Sequence, residues 1–218
     1  MLTLYIGNKN YSSWSLRPWL LMRALDIPFV EHQLSLFSNE FKKLVAQLSP
    51  VGRVPILVDE DLVIWDTLAI TEYLAERFPA LGVWPNELRA RARARSICAE
   101  MHSGFSALRS QMPMNLEASL PGRGWNTAVQ ADIDRIVQMW SELIATHGGP
   151  FLFGKFSAAD SFFAPVVTRL QTYAVALPAD CAQYCQAVRT LPSMEQWTDQ
   201  ALAEHEFLVV DDPFRSRR

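Results

Sequence analysis

The sequence predicts a two-part fold, an α/β N-terminal domain followed by an all-α C-terminal domain. Three observations carry this. Short β-prone runs alternate with helical patterns as far as Phe78-Pro79, in the order β-α-β-α-β-β-α. The next run, PALGVWP from Pro79 to Pro85, brackets apolar residues with proline and glycine, which marks a connector tied down against a domain surface. Beyond it every patterned segment is helical. The expected division is 1–79, a linker at 80–85, and a helical domain over 86–218.

Residues 2–6, LTLYI, read as a strand bounded by Gly7 and Asn8. A largely buried helix is expected from about Ser15 to Leu25, with Pro18 near its start, where a missing N–H costs little. Pro28 opens a second strand, FVEHQL, and a polar helix follows at about 39–48. Ile56 to Val58 and Leu62 to Ile64, separated by DED, predict an antiparallel hairpin. Asp66 and Thr67 precede a helix that stops at Phe78-Pro79. In the second part, helices are expected at about 87–111, 126–146, 158–175, 180–189 and 193–205, separated by PGRG, HGGP and two LP pairs.

With 218 residues, half of them hydrophobic, the chain can bury a sizeable core. Its net charge of −3 gives no global argument for nucleic acid or an anionic membrane surface. The alternating Arg89, Arg91, Arg93 and Arg95 are spread around a helix and read as a solvated or interface surface. Three cysteines form no disulfide framework, and a reducing, cytoplasmic location is expected. The first residues do not resemble a secretory signal, and no apolar run is long enough to span a bilayer. The histidines are scattered and Cys181 and Cys185 lack a second ligand pair, so no metal site is expected.

The stretch YSSWSLRPWLL places Ser12, Ser13 and Ser15 where the first strand hands over to the first helix. Free backbone N–H groups and the positive helix end favour a negative charge there, and a serine hydroxyl donating to a bound thiol would favour the thiolate. The plainer reading makes one serine a helix cap. In GRVPIL, a cis Val54–Pro55 bond would turn the Val54 backbone outward to pair with an extended peptide, although local sequence alone favours trans. Asp66 and Thr67 are either a simple cap or a site where Thr67 holds a ligand carboxylate and Asp66 accepts from an ammonium. Ser157 and Asp160 form the pattern of a capping box, a folding element.

On these residues the chain is identified as similar to the cytosolic glutathione S-transferases along almost its whole length, and closest in motif to a bacterial-type member of the zeta class. YSSWSLR resembles the SSCSWRVR stretch of that class, which includes the maleylacetoacetate isomerases. The resemblance implies a thioredoxin-like first domain, glutathione as co-substrate, and a homodimer. It implies catalysis by Ser12, with Ser13 and Ser15 as neighbouring candidates. Val54 and a cis Pro55 would bind the cysteinyl part, Asp66 and Thr67 the γ-glutamyl end, and the family's buried capping box falls on Ser157 and Asp160.

The implied activity is attack of the glutathione thiolate on a small hydrophobic electrophile. Trp14, Met101, Phe105, Met112, Met114, Phe163 and Tyr173 are the candidate pocket walls. Two alternatives stand beside it: a glutathione-dependent cis-trans isomerase, and a non-catalytic binding protein of the same fold. The sequence departs from the zeta pattern at Trp14, Pro18 and Trp19. Thr172 stands where that class has its substrate-holding arginine, with Arg169 one turn earlier as a possible substitute. Disulfide exchange is disfavoured, because no cysteine occurs in the first 97 residues.

Overall fold

The computed structural model describes residues 1–217. Strands β1 (Leu2–Ile6), β2 (Phe29–Gln33), β3 (Ile56–Asp59) and β4 (Leu62–Trp65) form one sheet in the order β2-β1-β3-β4. β1 runs parallel to β2, with Leu2 opposite Phe29. It runs antiparallel to β3, with Thr3 opposite Val58, and β3 pairs antiparallel with β4. The parallel pair requires a crossover, which α1 (Ser13–Ala24) supplies. Helix α2 (Asn39–Leu48) buries only Phe41 and Val45, and the Ser38 hydroxyl caps it by accepting from the Phe41 N–H at 3.0 Å. Helix α3 (Thr67–Arg77) follows β4 directly.

Helix α1 explains why its sequence is apolar nearly all round. It is wedged between β1, α3 and two helices of the second domain, and Ser15 through Met22 are all buried. The helix begins at Ser13, two residues before the expected start, so Pro18 lies in its second turn. A 3-10 turn at Pro79–Leu81 leads to the buried Val83 and Trp84, and the Val83 carbonyl accepts from the Ala158 N–H at 2.8 Å.

The second part contains α4 (Leu88–Ser103), α5 (Ser106–Gln111), α6 (Thr127–His147), α7 (Ala158–Thr172), α8 (Ala179–Arg189) and α9 (Pro192–Ala203). The single helix expected at about 87–111 is two. Gly104 ends α4 in extended backbone and Phe105 is left-handed, at φ 51°. The approach at this break is close: a Cβ on Gly104 would lie 2.8 Å from the Glu100 carbonyl oxygen. Helix α7 is the central post, buried on almost every side. The capping box is present at its start, with Asp160 accepting from the Ser157 N–H at 2.9 Å and from the Leu152 N–H at 3.0 Å. One apolar cluster runs from the sheet through α1 into α7 and α8, so the two parts share a core. Among the described residues no helix is long and apolar enough to cross a membrane.

Candidate active site

Two adjoining hollows open where the N-terminal layer meets α4 and α5. The smaller, of about 410 Å³, is lined by Val54, Pro55, Trp65, Asp66, Thr67 and His102. The larger, of about 760 Å³, is lined by Ser12, Ser13, Phe37, Phe41, Pro113, Met114 and Arg169 among others. Trp14, Arg53, Val54 and Arg109 face both. The junction therefore lies beside the start of α1.

Ser12 is the N-cap residue of α1 by position, yet its side chain makes no cap bond. Its hydroxyl donates instead to Ser15 Oγ at 2.7 Å, and the same Oγ accepts from the Gly7 N–H at 3.1 Å. Ser15 is fully buried behind Ser12 and lines neither hollow, so it is withdrawn as a ligand-touching group. Its place one turn into the helix points it at the β1 end rather than the cleft. Ser12 and Ser13 remain at the cleft surface.

The Val54–Pro55 peptide is cis. No bond from the Val54 N–H or C=O occurs among the described residues, which leaves both groups for an extended ligand backbone. Asp66 divides its carboxylate: Oδ1 accepts from the Leu68 and Ala69 N–H groups at 2.8 and 3.4 Å, and Oδ2 lies 2.6 Å from His102 Nε2 on α4. Asp66 is therefore the cap of α3, with its second oxygen held against His102. Thr67 differs from expectation in its hydroxyl, which donates to the Trp14 carbonyl at 3.1 Å. A carboxylate only accepts, so what Thr67 can offer it is the N–H at the start of α3.

Trp14 sits between two guanidiniums. Arg17 lies 4.0 Å and Arg109 4.8 Å from its ring centroid, and His102 packs edge-on against it. Arg17 is buried, donating to the Ser13 and Phe162 carbonyls at 2.8 and 3.0 Å, while Nη2 has no partner. Burial, then the charges of Arg169 and Arg109, hold its pKa well below the usual arginine value. Arg169 donates to the Met112 and Pro165 carbonyls at 2.9 and 3.1 Å. Burial and Arg109 bring its pKa down to about 10. Burial also lowers that of Arg109. Arg17, Arg109 and Arg169 have no carboxylate partner among the described residues, so the cleft wall formed by Arg109 and Arg169 carries uncompensated positive charge.

The pocket walls expected from sequence divide sharply. Trp14, Met114 and Arg169 line the larger hollow. Met101, Phe105, Met112, Phe163 and Tyr173 do not: each is buried in the helical core. The apolar faces of α4 and α7 turn toward each other, and Phe163 packs edge-on against Trp140 at 5.7 Å. Tyr173 spends its hydroxyl on the Pro113 carbonyl at 3.1 Å.

The comparisons with known proteins agree with this geometry. The family model for the glutathione S-transferase N-terminal domain matches residues 11–77, and that for the C-terminal domain matches residues 123–205. The chain belongs to the glutathione S-transferase family. This transferase is similar to glutathione S-transferase 1 of Dianthus caryophyllus, 29% identical over 167 residues covering 75% of each chain. It is also similar to a probable maleylacetoacetate isomerase of Caenorhabditis elegans, 28% identical over 75% of this chain and 76% of that one. A stringent starvation protein A homolog of Coxiella burnetii is 26% identical over 94% and 93% of the two chains. In fold, a glutathione transferase homolog from Burkholderia, solved with bound glutathione, superposes with a TM-score of 0.71 at 24% identity, covering 93% of this chain and 98% of that one.

Sequence reasoning missed Arg109, His102, Phe37, Phe41 and Pro113 at the transferase cleft. No sequence signal marks Arg109: the break at Gly104-Phe105, which turns α5 so that this side chain reaches Trp14, lies inside a continuous helical pattern. Among the described residues no group of three or more His, Cys, Asp or Glu side chains is placed to hold a metal ion.

Proposed function

We propose that this transferase binds glutathione extended along the smaller hollow and activates its thiol at Ser12 for attack on a small electrophile in the larger one. The observation that carries this reading is the junction itself. Ser12 opens onto the cleft at the start of α1, with Val54, Asp66 and Thr67 within the adjoining hollow. Val54 would pair with the cysteinyl backbone, the Thr67 N–H would meet the γ-glutamyl carboxylate, and Asp66 Oδ2 would accept from its ammonium.

At Ser12 the chemistry is hydrogen-bond rearrangement, without a covalent enzyme intermediate. Hydroxyls rotate freely, so Ser15 can donate to Ser12 Oγ while the Ser12 proton turns to the sulfur. The thiol proton is released to solvent in the open cleft; the thiolate then forms a sulfur–carbon bond to the electrophile, and the leaving group departs with its electron pair. Each unit by which the site lowers the thiol pKa corresponds to about 1.4 kcal/mol of preferential thiolate binding.

The acceptor we assign to the larger hollow is amphipathic. Trp14, Phe37, Phe41 and Met114 take an apolar body, while Arg109 and Arg169 face its anionic group. This wall also favours the second reading, an isomerase acting on an unsaturated diacid, with Arg169 holding a carboxylate. Calorimetry with glutathione, followed by turnover assays with a chlorinated aromatic acceptor and with maleylacetone, tests both readings. Failure to bind glutathione would leave only a binding protein of this fold.

We also read the chain as a cytoplasmic homodimer. Supporting this are the exposed Leu62 on the edge strand β4, the exposed Leu88 at the start of α4, and three unpaired cysteines. Sedimentation equilibrium tests the dimer.

A further inference from the structure

The residues between β1 and α1, Asn8, Lys9, Asn10 and Tyr11, are polar or amphipathic, yet all four are buried. Burying such groups is costly unless each finds a partner, and here the partners come mainly from the far end of the sequence. The Glu204 carboxylate accepts from the Lys9 N–H and, at 3.4 Å, from the Asn10 N–H. The Glu206 carboxylate accepts from the Asn8 amide at 2.9 Å and from the Ser35 hydroxyl at 2.7 Å. The Tyr11 hydroxyl donates to the Glu206 carbonyl at 3.4 Å and accepts from the Leu208 N–H at 3.5 Å. The Lys9 carbonyl accepts from the Trp197 indole at 3.0 Å.

The other end of this tail is anchored too, since Asp212 accepts from the Asn115 amide at 2.9 Å and Asn115 in turn accepts from the Asn10 amide at 3.1 Å. The loop so gripped runs directly into Ser12, whose N–H donates to the Asn8 carbonyl at 2.8 Å. Tyr11 and Asp211 both line the larger hollow beside Ser12.

We propose that the segment from Glu204 to Asp212 is a positioning element of the thiol site: Glu204, assisted by Glu206, fixes the Asn8–Tyr11 loop and thereby the direction of the Ser12 hydroxyl. This rests on the glutathione reading above and extends it to residues nearly two hundred positions from the serine. Glu204 is a positioning residue, touching the loop and not the ligand. Its charged neighbour is Glu206, and Gln33 also donates to it.

The test is a pH titration of the thiolate absorbance of glutathione bound at saturation, in wild type, Glu204→Ala, Glu204→Gln, Glu206→Ala and Ser12→Ala. Removing a nearby negative charge would by itself favour the thiolate and lower the midpoint. Loss of positioning acts in the opposite direction. The expected result for Glu204→Ala is a midpoint raised by about one unit, a tenfold loss of thiolate below it. Glu204→Gln, which keeps an acceptor for the Lys9 N–H, should recover most of that loss, and the exposed Glu206→Ala should show a smaller rise. Should Glu204→Ala fail to fold, Glu206→Ala decides the matter. A midpoint unchanged or lowered in Glu204→Ala, or in Glu206→Ala where Glu204→Ala does not fold, overturns the proposal, provided Ser12→Ala raises it; if Ser12→Ala leaves it unmoved, the glutathione reading itself falls.

Discussion

The hydroxyl of Thr67 donates to the carbonyl of Trp14 across 3.1 Å, and the reason lies four residues further along α1. Pro18 has no N–H, so the Trp14 carbonyl loses its helical donor, and Thr67 at the start of α3 replaces it. One bond thus satisfies a proline defect and pins the start of α3 to the helix that begins at Ser12.

Thr67→Val should therefore cost about 1–3 kcal/mol by leaving that carbonyl unsatisfied, whereas Thr67→Ser should cost less. Pro18→Ala supplies the missing N–H, so the Thr67→Val penalty should shrink in its presence. Chemical denaturation of the four members of this double-mutant cycle measures the coupling. Additive effects would contradict the account.

Asp66 is expected to separate folding from binding. Asp66→Asn keeps an oxygen to cap Leu68 and Ala69 but removes the anion that we assign to the ligand ammonium. It should weaken glutathione binding about tenfold with a small loss of thermal stability, while Asp66→Ala should lose about a further 1 kcal/mol of stability with the cap. Calorimetry and thermal melts on the same samples report the two effects.

Arg109 is expected to set acceptor charge preference, since it faces both hollows and hydrogen-bonds only carbonyl oxygens, those of Gly104 and His102. Arg109→Leu should lower kcat/KM for a carboxylate-bearing acceptor about tenfold or more relative to its neutral amide, the scale of one charge-assisted hydrogen bond. Equal losses for both acceptors would assign Arg109 a structural role alone.

Burial raises the Asp160 carboxyl pKa to about 6, against the favourable bonds from Leu152 and Ser157. A raised carboxyl pKa means that the folded state holds the proton more tightly than the unfolded state. The stabilisation is complete below pH about 4 and is lost as pH rises through about 6, by on the order of 3 kcal/mol. Asp160→Asn should be offset from wild type by its altered cap bonds but should lack this decline. Denaturation free energies of both proteins between pH 4 and 7, taken as a difference, isolate the effect.

Local patterns wrote much of the fold openly. The Asn39–Leu48 helix and the Ser157–Asp160 box are legible because propensity, period and capping agree within a few residues. The cleft walls are less so. Met101, Met112 and Phe163 read equally well as pocket or core, because apolar side chains carry no sign of which face is solvated until α4 and α7 pack. The break at Gly104-Phe105 was hidden inside a continuous helical pattern, and it is what brings Arg109 to Trp14. Least legible was the tail: the bonds from Glu204 and Glu206 to Lys9, Asn10 and Asn8 join residues with no shared periodicity, so only the fold reveals them.

The central claim is that the Ser12 hydroxyl keeps the glutathione sulfur ionised. Titrating the thiolate absorbance of bound glutathione in wild type and Ser12→Ala tests it most directly. The account predicts a wild-type midpoint at least about one unit below the ordinary thiol value near 8.5, and a return toward that value in Ser12→Ala with glutathione affinity little changed. Coincident titration curves for the two proteins would contradict it.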